Sequence, residues 1–212
     1  MNKSATVDTR VNKMADEALI IAAKEDDLAK INAAIQDGAD VDYQMLDEYF
    51  DENGVGYGCF YSSLHIASLR GCLPIVTRLL ELKANCNVLN ERGGEPLSIA
   101  SRNGHLPVCE LLVKHGAAVN QANEDGFTPL YTASQNGHKE VVQFLLNEGA
   151  YVSVKNAAGM TSLMIASQRG HLDVVPALKN WPVTMFIVVL QELVVYHLLD
   201  IMSFFDLVEY IG

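Results

Sequence analysis

Histidine and serine are the residues of this chain whose types and spacing first suggest chemistry. His105, His138 and His171 recur at a constant interval of 33 positions, and an imidazole can ligate a metal ion or act as a general base. Four serines share a second register with the same interval: Ser68, Ser101, Ser134 and Ser167. The serines adjoin small alanines and lack the GxSxG strand-to-helix context of a hydrolase nucleophile. We therefore interpret them as packing residues.

The acidic and cysteine residues give no recognisable metal pattern. Aligning Gly54 with the glycine of an EF-hand loop puts Tyr49 at the first ligand position and Phe60 at the twelfth, which fails the calcium pattern. The four cysteines contain no CxxC pair, and no phosphate-binding glycine motif occurs. We predict no catalytic residue, no metal ion and no cofactor.

Composition and charge limit the classes of partner. The 212 residues are 50% hydrophobic and 19% charged, with a formal net charge of −11, so a sizeable core is available and nucleic acid is an unfavourable partner. Residues 1–60 hold 5 basic and 13 acidic side chains, and residues 181–212 hold 0 and 4. The polar start lacks the apolar region of a secretory signal. Together with the cysteine pattern, this predicts a reduced protein in the cytoplasm or nucleus.

The elements that must position these residues follow from an internal repeat. Leucines recur at the same interval as the histidines, at Leu64, Leu97, Leu130 and Leu163, and alanines recur in step at Ala67, Ala100, Ala133 and Ala166. Five such registers agree over four copies, which chance does not supply. The interval therefore defines four repeats.

Each repeat has the pattern of a helix pair. In the third copy a short apolar stretch begins at Pro129 and stops at Gly137, and the second helix ends at Gly149. Proline suits the first turn of a helix and glycine suits its left-handed end. Gly93, Gly126 and Gly159 recur in the links between pairs, which predicts hairpin-like turns that need a positive φ.

The start of the array differs from the rest. A faint fifth copy over residues 15–42 matches the later repeats at an offset of 45, which is one interval plus an insertion of 12. This copy is rich in acidic residues, as a solvent-facing capping repeat should be. We expect residues 1–14 to be a disordered tail and residues 43–60 to form the insertion.

The interval and wording resemble the ankyrin repeat family. The closest copy is GFTPLYTASQNGHKEVVQFLLNEGA, residues 126–150, and the likeness runs from about Ala15 to Leu178. It implies an ankyrin-type α-solenoid of stacked helix-turn-helix repeats with short β-hairpin-like turns. It also implies that the three recurring histidines are structural residues of the helix turns. Only His65 fills the family's histidine of TPLH, so we expect a less stable array.

The resemblance also implies which positions contact a partner. These are the residues around each turn glycine and the last two residues of each inner helix, on a continuous concave side. Carried over position by position, the candidates are Arg70, Glu91, Arg92, Arg102, Asn103, Glu124, Asp125, Phe127, Gln135, Asn136, Met160, Gln168 and Arg169.

The insertion supplies further candidates. Residues 43–61 interleave aromatic side chains with four acids and three glycines, and aromatic residues dominate interface energetics. We expect Tyr49, Phe50, Tyr57 and Tyr61 to anchor a basic or mixed partner surface on a lengthened first finger. The alternative is a loop that folds back over the N-terminal cap.

The repeat pattern ends near Pro176, which we place inside the second helix of the last copy, where a proline removes a backbone donor. The apolar stretch 185–199 is closed by Asp200 and is too short for a bilayer span. We predict that residues 181–212 form a helical C-terminal cap. A partner-binding or membrane-surface helix at residues 183–211 is the alternative.

The whole pattern favours a monomeric, non-enzymatic module that binds another protein through its concave face and long first finger. Nucleic acid is excluded as a partner, and we do not expect a membrane partner. Two other functions stay open. The chain could be a regulatory segment of a larger enzyme or channel, or a membrane-attached adaptor through residues 183–211.

Overall fold

The computed structural model describes residues 4–50 and 56–179, with side chains at residues 12–46 and 60–179. The chain is mostly helical over these residues. Helices α1 (Ser4–Glu25) and α2 (Leu28–Gln36) come first and are followed by a β-hairpin. The predicted C-terminal cap at residues 181–212 lies outside the described residues.

Four helix pairs then follow in the order that the constant repeat interval predicts. The first helices of the pairs form an inner row: α3 (Ser63–Arg70), α5 (Pro96–Arg102), α7 (Pro129–Gln135) and α9 (Ser162–Arg169). The second helices form an outer row: α4 (Leu73–Glu81), α6 (Leu106–Lys114) and α8 (Lys139–Asn147). Residues 175–179 are helical at the end of the described part.

Local sequence explains where these helices begin and end. Prolines occupy the first turns of α4, α5, α6 and α7, where a missing backbone N–H costs no helical hydrogen bond. Thr128 caps α7 by accepting a hydrogen bond from the backbone N–H of Tyr131. Gly71 ends α3 with a φ of 72°, a conformation that glycine adopts without steric cost.

The core lies between the two rows. Leu97, Leu130 and Leu145 are buried, and Ala100 and Ala133 are fully buried where inner helices contact each other. Each inner helix packs against the next one in the row, from α1 through α3, α5 and α7 to α9. The small alanine side chains permit this close approach, as the sequence predicts.

The insertion forms a regular hairpin. Strands β1 (Gln44–Phe50) and β2 (Gly56–Ser62) pair antiparallel, with Leu46 opposite Phe60 and Met45 opposite Tyr61. Met45 and Tyr61 pack against the core, and the strands contact α1 and α3. The first finger is therefore a two-stranded hairpin whose base is held by the helices.

Two expectations about local structure need correction. Residues 4–14, expected as a disordered tail, belong to α1, because a helix nucleated by the packed residues 15–25 propagates at little cost. Pro176 does not lie in the interior of a helix. The equivalent helix of the previous repeat, α8, begins at Lys139, whose counterpart is Leu172, but the last helical stretch begins only at residue 175. The delayed start puts the proline in the first turn, where it is tolerated.

Candidate functional site

Three turns project from the helix pairs, and we call them the second, third and fourth fingers: residues 90–94, 123–127 and 156–160. An asparagine holds each of them. The Oδ1 of Asn123 accepts hydrogen bonds from the backbone N–H of Asp125 at 3.1 Å and of Phe127 at 2.8 Å. Asn90 and Asn156 make the same pair of bonds. A side chain that mimics the backbone thereby fixes each finger.

The fingers stack on one another through their backbones. The N–H of Glu124 donates to the carbonyl of Arg92 at 3.1 Å, and the N–H of Ala157 donates to the carbonyl of Asp125 at 3.0 Å. A Cβ on Gly126 would lie 2.8 Å from the Cα of Asn156. Glycine is therefore needed at this position for two reasons: the backbone has a positive φ of 80°, and the next finger leaves no room for a Cβ.

The recurring histidines join successive repeats. The Nε2 of His105 donates to the carbonyl of Leu69 at 3.0 Å, and His138 and His171 make the same bond to Arg102 and Gln135 at 2.9 Å. Each carbonyl belongs to the last turn of an inner helix, where it has no helical donor. The structural role implied by the resemblance is confirmed for these three rings.

His65 has a different environment. It is fully buried, its Nδ1 accepts from the backbone N–H of Ser62 at 3.1 Å, and its Nε2 lies 3.1 Å from the carbonyl of Gly94. Because Nδ1 accepts, the proton of the neutral ring is on Nε2, which donates to Gly94. Burial lowers the pKa of His65 to about 4. The ring is therefore neutral at physiological pH and caps α3.

Glu95 is the most unusual ionisable group among the described residues. It occupies the cap position that Ser62, Thr128 and Thr161 hold in the other repeats, yet its side chain makes no cap hydrogen bond. It is 4% exposed, and its Oε2 has no hydrogen-bond partner. Burial raises the pKa of this carboxyl group to about 7.

An aromatic pair lies between the third finger and α7. The rings of Phe127 and Tyr131 stack with centroids 4.8 Å apart and an interplanar angle of 4°. The Tyr131 hydroxyl accepts a hydrogen bond from Nδ2 of Asn156 at 3.1 Å, so the pair is also tied to the fourth finger. Tyr131 is buried and Phe127 is half-buried, which leaves part of one ring open to a partner.

Charged side chains occupy the inner-helix ends and the third fingertip. Arg102 and Arg169 are exposed in the last turns of α5 and α9. Arg169 is close enough to Tyr131 to offset part of the rise that burial causes in the hydroxyl pKa. Glu124 and Asp125 are exposed on the third finger. The exposed ends of α5 and α9 are therefore basic, and the third fingertip is acidic.

The other predicted contact residues fall into three groups. Arg70, Glu91, Arg92 and Gln168 are exposed, and Gln135 and Met160 are half-buried. Asn103 and Asn136 donate their amide N–H groups to carbonyls of their own helices, Ile99 and Thr132, at 2.8 and 2.9 Å. These two asparagines are thus helix caps as well as surface residues.

The predicted anchors of the first finger are partly located. Tyr61 is half-buried and packs edge-on against His65, with ring centroids 5.6 Å apart, so it supports the base of the hairpin. Tyr49, Phe50 and Tyr57 lie in the strands, with Tyr49 paired to Tyr57. Their side chains lie outside the described residues.

Sequence reasoning missed several contributors to this surface. The asparagine that begins each finger recurs at the repeat interval, as Asn90, Asn123 and Asn156, a signal that could have identified its role. Leu46 and Phe60 are 53% and 37% exposed and lie opposite each other on the hairpin. Strand alternation alone could not show which face of the hairpin packs on the helices.

The described residues contain no cluster of histidine, cysteine or acidic residues that could hold a metal ion. Cys72, Cys86 and Cys109 are buried free thiols, and burial raises the pKa of Cys109 to about 11, which keeps it protonated. None of the helices in the described ranges is long and apolar enough to cross a bilayer.

Comparison with known proteins identifies a repeat family over part of the chain. No curated protein matches the chain. Residues 64–156 match the family model of ankyrin repeats, in three copies. This range contains the second and third fingers, together with His105 and His138, which join repeats. It also contains the inner helices α5 and α7 and all of α3 except Ser63. The chain therefore carries ankyrin repeats over residues 64–156.

Proposed function

We propose that the protein is a non-enzymatic module that binds another protein through its fingers and inner-helix ends, the concave side of an α-solenoid. Ankyrin repeats are generally protein–protein interaction modules. The observation that carries the proposal for this chain is the stacked pair of Phe127 and Tyr131. It is a rigid, partly exposed aromatic group at the middle of the finger row.

The pair has the properties of an interface hot spot. Binding energy concentrates in aromatic and arginine side chains that are held in place before the partner arrives. Stacking and the Asn156 hydrogen bond already fix Tyr131, so little conformational entropy is lost when a partner covers Phe127. Arg169 supplies a charged donor close to Tyr131, and Arg102 is exposed at the end of α5.

The first hairpin extends this surface. Its inner face is held by Met45 and Tyr61, and its other face exposes Leu46 and Phe60. Residues 31–69 contain seven acidic side chains and no lysine or arginine. An apolar contact within an acidic region favours a partner segment that is basic and carries apolar side chains. We therefore assign the hairpin as a second anchor, for a basic or mixed partner surface.

Affinity capture from the source cell tests the proposal. The test variant carries Phe127→Ala and Arg102→Ala, and the matched control carries Glu110→Ala and Gln143→Ala, both exposed on the outer helices. Loss of two anchors should weaken binding by about 2 kcal/mol or more, roughly 30-fold. The control should bind as the unchanged protein does. Equal capture by both variants would contradict the assigned side.

A shortened hairpin tests the second anchor separately. Shortening the insertion by 12 positions restores the constant interval between repeats. The shortened protein should retain its helical content and bind a basic partner more weakly. Unchanged affinity would remove the hairpin from the interface and leave the Phe127 surface in place. We also propose residence in the cytoplasm or nucleus, which microscopy of the tagged protein can check.

A further inference from the structure

The last inner helix, α9, exposes residues whose counterparts one repeat earlier are buried. Met164 is 52% exposed, whereas Tyr131 is 4% exposed. Ser167 is exposed and Leu163 is half-buried, whereas Ser134 and Leu130 are buried. We call Leu163, Met164 and Ser167 the terminal face. The packing of α9 on α7 covers the earlier face, so the terminal face is the open end of the array.

Two pairs of equivalent glycines show the same loss of contacts in the fourth repeat. A Cβ on Gly137 would lie 2.5 Å from the ring of His171, but nothing described lies within 4 Å of the same position on Gly170. A Cβ on Gly126 would meet the backbone of the next finger, but a Cβ on Gly159 would have no atom of the described residues within 4 Å. Both the helix end and the finger of the fourth repeat therefore lack the neighbour that earlier repeats have within the described ranges.

The sequence does not continue the bonds that join repeats. The residue 33 positions after His171 is Phe204, which cannot donate to a helix-end carbonyl. Asn87 and Asn120 each form hydrogen bonds with two backbone groups of the next repeat. The residue 33 positions after Asn120 is Ser153, whose shorter side chain has no amide. Positions 153 and 204 therefore lack the side chains that join the earlier repeats. An element that covers the terminal face would have to pack there through apolar side chains rather than through these bonds.

We propose that residues 183–211 of this chain fold onto the terminal face and close the array. All but eight of them are apolar, and such a segment gains free energy by leaving water. The segment begins shortly after Lys179, so the short tether gives it a high effective concentration at the face. Its length approaches that of one repeat, enough to replace a missing neighbour.

A second copy of the chain is the competing cover. Met14 and Ile21 are 72% and 47% exposed on α1 at the other end of the array. Stacking of that end on the terminal face of another molecule would be a head-to-tail contact, which does not close and extends into filaments. Closure by residues 183–211 prevents this growth, so the two covers make opposite predictions about dependence on concentration.

Thiol labelling of the full-length chain separates these cases. A Met164→Cys reporter is compared with Tyr151→Cys, at a position 64% exposed, in a background carrying Cys59→Ser. The reporter at position 164 should react about tenfold more slowly than the one at 151 at every protein concentration. Adding Leu198→Asp should restore fast labelling. Equal rates, or protection that requires high concentration or added lipid vesicles, would overturn the assignment.

Photocrosslinking identifies the cover directly. p-Benzoylphenylalanine in place of Met164 should crosslink within one molecule to a peptide from residues 183–211. Crosslinks to another copy, or none to that segment, would refute the proposal. This readout does not depend on partner binding, so it fails or succeeds independently of the proposed function.

Discussion

Replacing Glu95 with threonine should stabilise the protein above neutral pH. Glu95 is a buried carboxyl group with one unpartnered oxygen, at a cap position where Thr128 and Thr161 bond the backbone of their helices. The threonine would remove a group that must either hold a proton or bury a charge. It would also supply the missing hydrogen bond at the start of α5.

The magnitude follows from the Glu95 pKa. Burial raises this pKa from 4.5 to about 7, so the folded state binds the proton more tightly than the unfolded state does. The contribution to stability is greatest below pH 4.5 and falls as the pH rises to about 7, by at most about 3 kcal/mol. Adding about 1 kcal/mol for the cap, Glu95→Thr should gain between about 1 and about 4 kcal/mol above neutral pH and about 1 kcal/mol in acid.

His65 contributes the opposite dependence. Its folded-state pKa is about 4, against an ordinary value of 6.5, so the unfolded state binds the proton more tightly. Stability from the neutral ring is complete above pH 6.5 and is lost as the pH falls to about 4, by about 3 kcal/mol. In the unchanged protein these two contributions oppose each other. In Glu95→Thr only the loss on acidification remains.

Urea titrations followed by circular dichroism, between about pH 4 and about pH 8, measure both effects. The control is Glu91→Thr, an exposed position in the same finger, which should change the free energy of unfolding by less than about 0.5 kcal/mol. The reasoning is refuted if Glu95→Thr gains nothing above neutral pH, or if its stability follows the same pH profile as the unchanged protein.

Three further predictions concern the joints between repeats. Gly104→Ala should lower the free energy of unfolding in urea titrations by about 2–3 kcal/mol, because the φ of residue 104 is 76° and the added Cβ would lie 2.5 Å from the His138 ring. In the control Gly149→Ala the φ is 85° and no described atom lies within 4 Å, so the loss should be about 1 kcal/mol. Equal losses in the two variants would show that the ring contact contributes nothing. Asn123→Ala should cost about 1–2 kcal/mol by leaving two backbone N–H groups of the third finger without their acceptor; an unchanged urea midpoint would contradict this. Leu130→Asn should accelerate hydrogen exchange in α5 and α9 as well as in α7, because neighbouring repeats share interfaces; faster exchange confined to α7 and α8 would count against shared stability.

The helix pairs could be predicted from sequence because local and non-local signals coincide. The leucine and alanine registers, Pro129 in a first turn and Gly126 in a turn all indicate the same arrangement, and the structure places each of them there. Repeats contact only their neighbours, so a local pattern specifies most of the packing. The exposed fingertip residue Glu124 was located for the same reason.

The remaining features depend on contacts that residue types alone do not encode. Tyr131 stands at the position equivalent to His65. Instead of the His65 ring contacts with Ser62 and Gly94, the Tyr131 ring stacks on Phe127 and its hydroxyl bonds Asn156. A glutamate in a turn is normally exposed, and only the packing of the repeats shows that Glu95 is buried. The extension of α1 to Ser4 reflects helix propagation from a packed segment, which no motif marks.

Hydrogen exchange of the full-length protein, with and without the protein that it captures, shows whether the fingers and inner-helix ends form the binding surface. Backbone amides in the second to fourth fingers and in the last turns of α5 and α7 should exchange more slowly in the complex, with the outer helices α6 and α8 unchanged. Protection restricted to the outer helices, with the fingers unaffected, would contradict this assignment.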